Sequence, residues 1–321
     1  MDFLANYFGS LNPMSFLSAL PGNIAQGIIW GLMGLGVFLT FKLLNFADLS
    51  VDGSFATGGA VTAVMLINGC PVWATIIVAI LAGLAAGLVT GLLHTLLGIP
   101  DILAGILTQI ALYSINLNIM GKSNLPTSYR NYTLVVSASN INMAILVGLG
   151  ICAVVVAAMY WYFGTEQGST IRSTGSNPAM SKAQGININF TKVIALALSN
   201  GLVALSGSLF AQYQGFADIN MGRGAIVIGL AAVIIGEVLG EAIFRKHMNF
   251  IIRMLFVIVG GILYYIAMGI VLWLKMPTDD TKLFTAIIVA IFLAVPYLQK
   301  KRKTSFKKVA KMNAKNAQKE G

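Results

Sequence analysis

The chain has 321 residues, of which 57% are hydrophobic and only 10% charged, and its mean hydropathy is +0.82. A water-soluble domain needs far more charge to cover its surface, so the expected fold class is an all-α polytopic membrane protein with no room for a soluble catalytic domain. The formal net charge of +10 is mostly local: residues 300–321 hold nine Lys/Arg and one Glu. That run reads as a cytoplasmic stop-transfer tail attracted to anionic lipid rather than as a nucleic-acid binder.

A membrane-spanning helix needs about 20 apolar residues. Nine stretches approach that length, at about 24–41, 54–67, 72–97, 99–120, 143–163, 190–212, 225–244, 250–274 and 283–298. The second, about 14 residues long, is the signature of a broken or re-entrant helix. Residues 1–21 carry no basic n-region and read as an interfacial or disordered leader rather than a cleavable signal. Cys70 and Cys152 lack metal-ligand spacing and read as packing residues. Gly83, Gly87 and Gly91, at four-residue spacing, predict close helix packing.

Placing the basic tail inside and counting back through the spans puts 164–189 in the cytoplasm, with Arg172 and Lys182, and the amino terminus outside. Lys122, Arg130, Arg223, Lys275 and Lys282 depart from the rule. In that frame two near-copies become informative: residues 46–51 read FADLSV and residues 216–221 read FADINM. Each follows one span and precedes three, and an odd number of crossings separates them. The chain therefore reads as two inverted repeats with interrupted helices, about 24–120 and 190–299, joined by a connector at 143–163.

Polar residues this close to apolar runs must meet water, a polar ligand or one another. Asn45, Phe46, Asp48, Ser50, Asp52, Phe216 and Asp218 are candidates for lining a path, as are Gln109, Tyr113 and Asn116, spaced to share one helical face. Two readings of Asp48 and Asp218 stand together: path lining, or capping of the helices that follow. For any single polar residue the plainer alternative is an interhelical hydrogen bond, worth about 0.6–2 kcal/mol.

The cytoplasmic segment 168–185 predicts a short helix with both ends specified. Ser176 or Asn177 caps it, Pro178 fits the first turn, Gly185 fits the position just past its end, and Ala179 and Ala183 form a small face. Such a helix suits docking into another protein's groove, and a lipid-surface helix would look similar.

The pattern Arg172-x-x-Gly175-x-Asn177-x-Ala179-x-x-x-Ala183-x-Gly185-Ile186 resembles the coupling-helix loop of permeases serving branched-chain amino-acid and ribose ABC importers. Residues 44–48, LNFAD, resemble that family's Asn-Phe-Ala-His/Asp-Gly segment, although Asp52-Gly53 follows later than the usual Gly. Residues 215–240 match its Gly-rich stretch, with Glu237 where many members have Gly. The likeness spans about residues 24–300 and is strongest to the subgroup paired with lipoprotein-type amino-acid binding proteins.

The resemblance implies a multi-pass permease subunit in a bacterial cytoplasmic membrane. It further implies a separate ABC ATPase gripping Arg172, Gly175, Asn177, Pro178, Ala179, Ala183 and Gly185. An extracytoplasmic solute-binding lipoprotein would deliver cargo, and two copies of the chain would surround one path. The implied cargo is a small polar solute, an amino acid and among these an aromatic one. The chain has no Gly-x-x-x-x-Gly-Lys-Ser/Thr loop to bind ATP itself, and no cofactor or metal is expected. The competing class is an ion-coupled secondary transporter using Asp48, Asp52, Asp218 or Glu237. An intramembrane enzyme lacks a catalytic constellation around His94 or His247.

Overall fold

The computed structural model describes residues 13–127, 134–244 and 248–274 and, in part, 283–294. Helix α1 (Pro13–Val37) runs into a π-helical turn (Phe38–Leu43) and is followed by α2 (Val51–Ile67), α3 (Val72–Leu96) and α4 (Asp101–Met120). After strand β1 (Asn124–Pro126) come α5 (Ile141–Gly164), α6 (Glu166–Ser176), α7 (Pro178–Ala183) and α8 (Ile188–Gln214). Strand β2 (Phe216–Asp218), α9 (Ala225–Phe244) and α10 (Phe250–Trp273) complete the described elements. Among the described residues, seven helices are long and apolar enough to cross a membrane, and α2, at 17 residues, is the short one that its sequence predicts. The expected ninth span at 283–298, the basic tail, His247, Arg130, Lys275 and Lys282 lie wholly or largely outside the described residues.

One expectation is corrected at the amino end. Residues 13–21 are not a separate interfacial or disordered leader but the first turns of α1, which carries Pro21 within it. The Phe16 ring lies 5.9 Å from that of Trp273, so this end of α1 is packed against the end of α10. Residues 1–12 are outside the described set.

Helices α1 and α8 are the most buried of the spanning helices and form the centre of the bundle. Around them the packing repeats. Helix α3 packs along α8, and its counterpart α10 packs along α1; α2 meets α3 and α8, and α9 meets α10 and α1. This exchange of partners is what two repeats related by a pseudo-twofold axis produce. Both long contacts depend on glycine. A Cβ on Gly83 or Gly87 would collide with the α8 backbone at Asn200 or Leu196, and one on Gly27 or Gly31 would collide with the α10 backbone at Ile262 or Ile258. Small residues let the helices approach closely where lipid offers no hydrophobic drive to associate.

Helices α2 and α9 start inside the bundle. Ser50 and Ser54, at the head of α2, bond to Asn200, which lies near the middle of the 27-residue α8. The Asp52 side chain in turn accepts hydrogen bonds from the backbone N–H groups of Gly224 (3.0 Å) and Ile226 (2.9 Å) at the head of α9. The amino termini of α2 and α9 thus meet about halfway through the bundle, the arrangement of an interrupted-helix transporter.

Candidate functional site

Each FAD segment makes the same local turn. The Asp48 Oδ1 accepts the Ser50 N–H (2.9 Å) and the Asp218 Oδ1 accepts the Asn220 N–H (2.7 Å), which orients the chain for the helix that follows. Neither aspartate is the cap of its own following helix. Ser50 occupies that position for α2, and the head of α9 is served by Asp52 from the other repeat. Sequence spacing shows only i-to-i+n partners, so this cross-repeat bond is invisible to it.

Beyond this shared turn the two segments differ. Asp48 is 2% exposed and its second oxygen accepts from Asn200 Nδ2 (2.8 Å), while the Asn200 Oδ1 takes the Ser54 hydroxyl (2.6 Å). The Ser50 hydroxyl lies within reach of both Asp48 Oδ1 and Asn200 Oδ1; having one proton, it donates to one of them. The Ser50 N–H and the Asn200 amide each donate to one oxygen of Asp48, so both oxygens of its buried carboxyl group are met. Phe46 is also buried, its ring edge-on to His94 at 5.1 Å, and the His94 Nε2 is 2.9 Å from Lys192 Nζ. Asn45 is exposed with φ of +54°, a left-handed conformation that asparagine tolerates. Phe216 and Asp218 form β2, which pairs antiparallel with β1 in the register Asn124 to Asp218.

Four of the predicted residues converge elsewhere. Asp52, Gln109, Tyr113 and Asn116 line one cleft of about 270 Å³ between α2, α4 and the segment leading into α9, together with Ile219 and Arg223. Arg223 is a residue the sequence flagged for being on the wrong side of the charge rule. Asn116 is 1% exposed, and neither its Oδ1 nor its Nδ2 has a hydrogen-bond partner among the described residues. An orphaned buried polar group costs about 1–3 kcal/mol, so this amide is a standing expense unless something in the cleft meets it.

At the opposite end of the bundle, the segment 166–185 folds as two helices rather than one. Thr165 caps α6 by accepting from the Gly168 N–H, and Asn177 caps α7 by accepting from the Met180 N–H (3.1 Å), with Pro178 in the first turn. Gly185, at φ +82°, closes α7. Pro178, Ala179 and Ala183 are exposed, as is Met180. Helix α6 is fixed from below. Ile171 and Thr174 are buried, Arg172 lies 5.9 Å over the Phe250 ring, and a Cβ on Gly175 would run into the Leu43 carbonyl. Close by in the sequence, Lys42 bonds to Glu237 (2.8 Å), which also faces Arg253 (3.5 Å). Glu237, unexplained in the sequence, therefore joins the end of α1 to α9 and α10.

A multi-span bundle with two repeated broken helices, a cleft where they meet and a capped surface helix at one end is the architecture of a membrane permease. The chain belongs to the family described as branched-chain amino acid transport system / permease component, whose model matches residues 22–296, and is thus an ABC-type permease. It is 42% identical over 93% of its length, and 99% of the relative's, to the tyrosine transport system permease protein of Clostridioides difficile. It is 27% identical over 80% of its length, and 77% of the relative's, to the D-allose transport system permease protein AlsC of Escherichia coli. Among solved structures, a chain of PsaBC from Streptococcus pneumoniae in complex with Fab shares the fold. Its TM-score is 0.51 at 16% identity, covering 91% of this chain and 94% of that one.

Proposed function

We propose that the chain is the transmembrane subunit of an ATP-driven importer that moves an amino acid, with aromatic side chains favoured, into the cytoplasm. A separate ABC ATPase docks on α7. An external binding lipoprotein delivers solute at the β1–β2 end, and two copies of the chain enclose the path. The observation that carries this reading is the exposed, doubly capped α7 on an α6 wedged against Leu43 and Phe250. A force applied to α7 passes through Gly175 to the end of α1, next to both the Phe46 segment and the Lys42–Glu237 bridge. The tyrosine-transport relative supports the cargo class.

An ion-coupled mechanism would need a free intramembrane acid. Asp48, Asp52, Asp218 and Glu237 each have two partners, which weighs against that second reading. The test is Ala179→Arg, which places a long cation on the small face of α7. Uptake and co-purification of the ATPase should both be lost while membrane insertion persists; normal ATP-dependent uptake would overturn the docking role.

A further inference from the structure

The cleft at the heads of α2 and α9 holds more recognition chemistry than a passive path requires. Buried amides are nearly always hydrogen-bonded, yet both polar atoms of Asn116 stand unpartnered against a cavity. The exposed Arg223 makes no ion pair among the described residues. Each oxygen of Asp52 accepts one backbone N–H and keeps a further acceptor site. One cation, one carboxylate and an amide with a free donor and acceptor therefore border a single space. Ile219 and the Tyr113 ring supply its apolar wall. Its volume of about 270 Å³ is at the small end for ligand sites, suiting a single metabolite.

We propose that this cleft is itself a selective site within the permease, one that reads both charged ends of a zwitterionic amino acid. Arg223 takes the carboxylate, Asp52 takes the ammonium, and Asn116 completes the polar set. The Tyr113 and Ile219 wall accepts an apolar or aromatic side chain. A neutral sugar would leave both protein charges unmatched, and an amine or a simple carboxylic acid would leave one. Discrimination of this kind, through a polar group left without its partner, is the strong form of selectivity. The inference rests on the permease reading and deepens it: selection is exercised inside the membrane as well as by the external binding protein.

The test uses the full-length chain in lipid nanodiscs without the binding protein, with radiolabelled L-tyrosine as probe. Tyramine, 3-(4-hydroxyphenyl)propionate and ribose serve as competitors. L-tyrosine should bind, the two single-charge analogues should compete at least tenfold more weakly than unlabelled tyrosine, and ribose should not compete. Arg223→Gln should erase the discrimination against tyramine while leaving that against the propionate. Asn116→Ala should weaken tyrosine at least tenfold. Should Asn116→Ala misfold by size-exclusion profile, Arg223→Gln at its exposed position decides alone. Absence of tyrosine binding, competition by ribose, or an unchanged ligand profile in Arg223→Gln would overturn the proposal. ATP-dependent uptake by the complete wild-type importer is measured in parallel. Its absence sinks the permease reading, whereas intact uptake beside an unselective cleft sinks only this inference.

Discussion

Replacing Asn200 by alanine should be among the most damaging polar substitutions in this chain. The change removes the donor to Asp48 Oδ2 (2.8 Å) and the acceptor of the Ser54 hydroxyl (2.6 Å), both buried. A hydrogen bond to a charged group contributes about 1.5–3 kcal/mol and a neutral one about 1 kcal/mol. The sum is about 2.5–4 kcal/mol, before any penalty for leaving the carboxylate short of a partner. A neutral interhelical pair is the proper control: the Thr62 hydroxyl bonds Ser208 at 2.7 Å in the same α2–α8 contact. Membrane cycles put such pairs near 0.6 kcal/mol, so Thr62→Ala should cost several times less. At about 2 °C per kcal/mol for a chain of this size, Asn200→Ala should lower the detergent unfolding midpoint by about 5–8 °C. Thr62→Ala should lower it by about 1 °C on the same scale. Adding Asp48→Asn to Asn200→Ala removes the stranded charge and should recover part of the loss, a coupling of at least about 1 kcal/mol. Equal midpoints for Asn200→Ala and Thr62→Ala, or strict additivity with Asp48→Asn, would refute the assignment of this network as the fastener between the repeats.

Four further outcomes are expected. Gly87→Leu drives a side chain into the α8 backbone at Leu196 and should cost at least about 1–3 kcal/mol in the same unfolding assay. Gly150→Ala, where a Cβ meets nothing within 4 Å, should stay within about 0.5 kcal/mol. Asn177→Ala removes the α7 cap, worth about 1 kcal/mol, so amide exchange over 179–184 should rise about fivefold with little change in the global midpoint. Glu237→Gln leaves Lys42 and Arg253 facing each other without a counter-charge. Because both cations are more than a third exposed, the loss should be no more than about 1 kcal/mol and should shrink as salt is raised, as a titration of midpoint against sodium chloride would show.

Much of the architecture was legible in the sequence because lipid leaves so few options. Apolar runs had to be helices, the shortest run had to be a broken one, and Gly83-x-x-x-Gly87 had to face another backbone. The cap on α7 was also readable, since Asn177-Pro178 states its chemistry locally. The site was only half readable. Periodicity grouped Gln109, Tyr113 and Asn116 on one face of α4, and the structure brings them to one cleft. It said nothing about Arg223, which reaches that cleft through the fold of the second repeat, nor about Asp52 serving the head of α9 across 172 positions. Likewise the separate helix α6 escaped notice because Gly175 argues against a helix by propensity. Its lack of a Cβ is what lets the chain pass the Leu43 carbonyl.

The repeats are equivalent in topology and unequal in chemistry. Displaced by the 170 residues that separate Phe46 from Phe216, Asn200 corresponds to Trp30 and Asp52 to Gly222. Where α8 carries an amide that binds the polar head of α2, α1 carries an indole that stacks on Phe55 at 4.7 Å and meets Phe210 at 5.4 Å. The polar arrangement anchors the first FAD segment, whereas the aromatic one seals the interior without engaging the second. The second segment is instead tied to β1 and, through Asp52, to the head of α2. Gly222 fits against the Asp52 carbonyl only because it lacks a side chain, so the two helix heads come together on that side. Under the proposed docking on α7, a segment anchored in the buried Asp48–Asn200 network and one tied only by β1 and the Asp52 carboxylate will not move alike. The bonds from Asp52 to Gly224 and Ile226 are the contacts that must yield for α2 and α9 to separate.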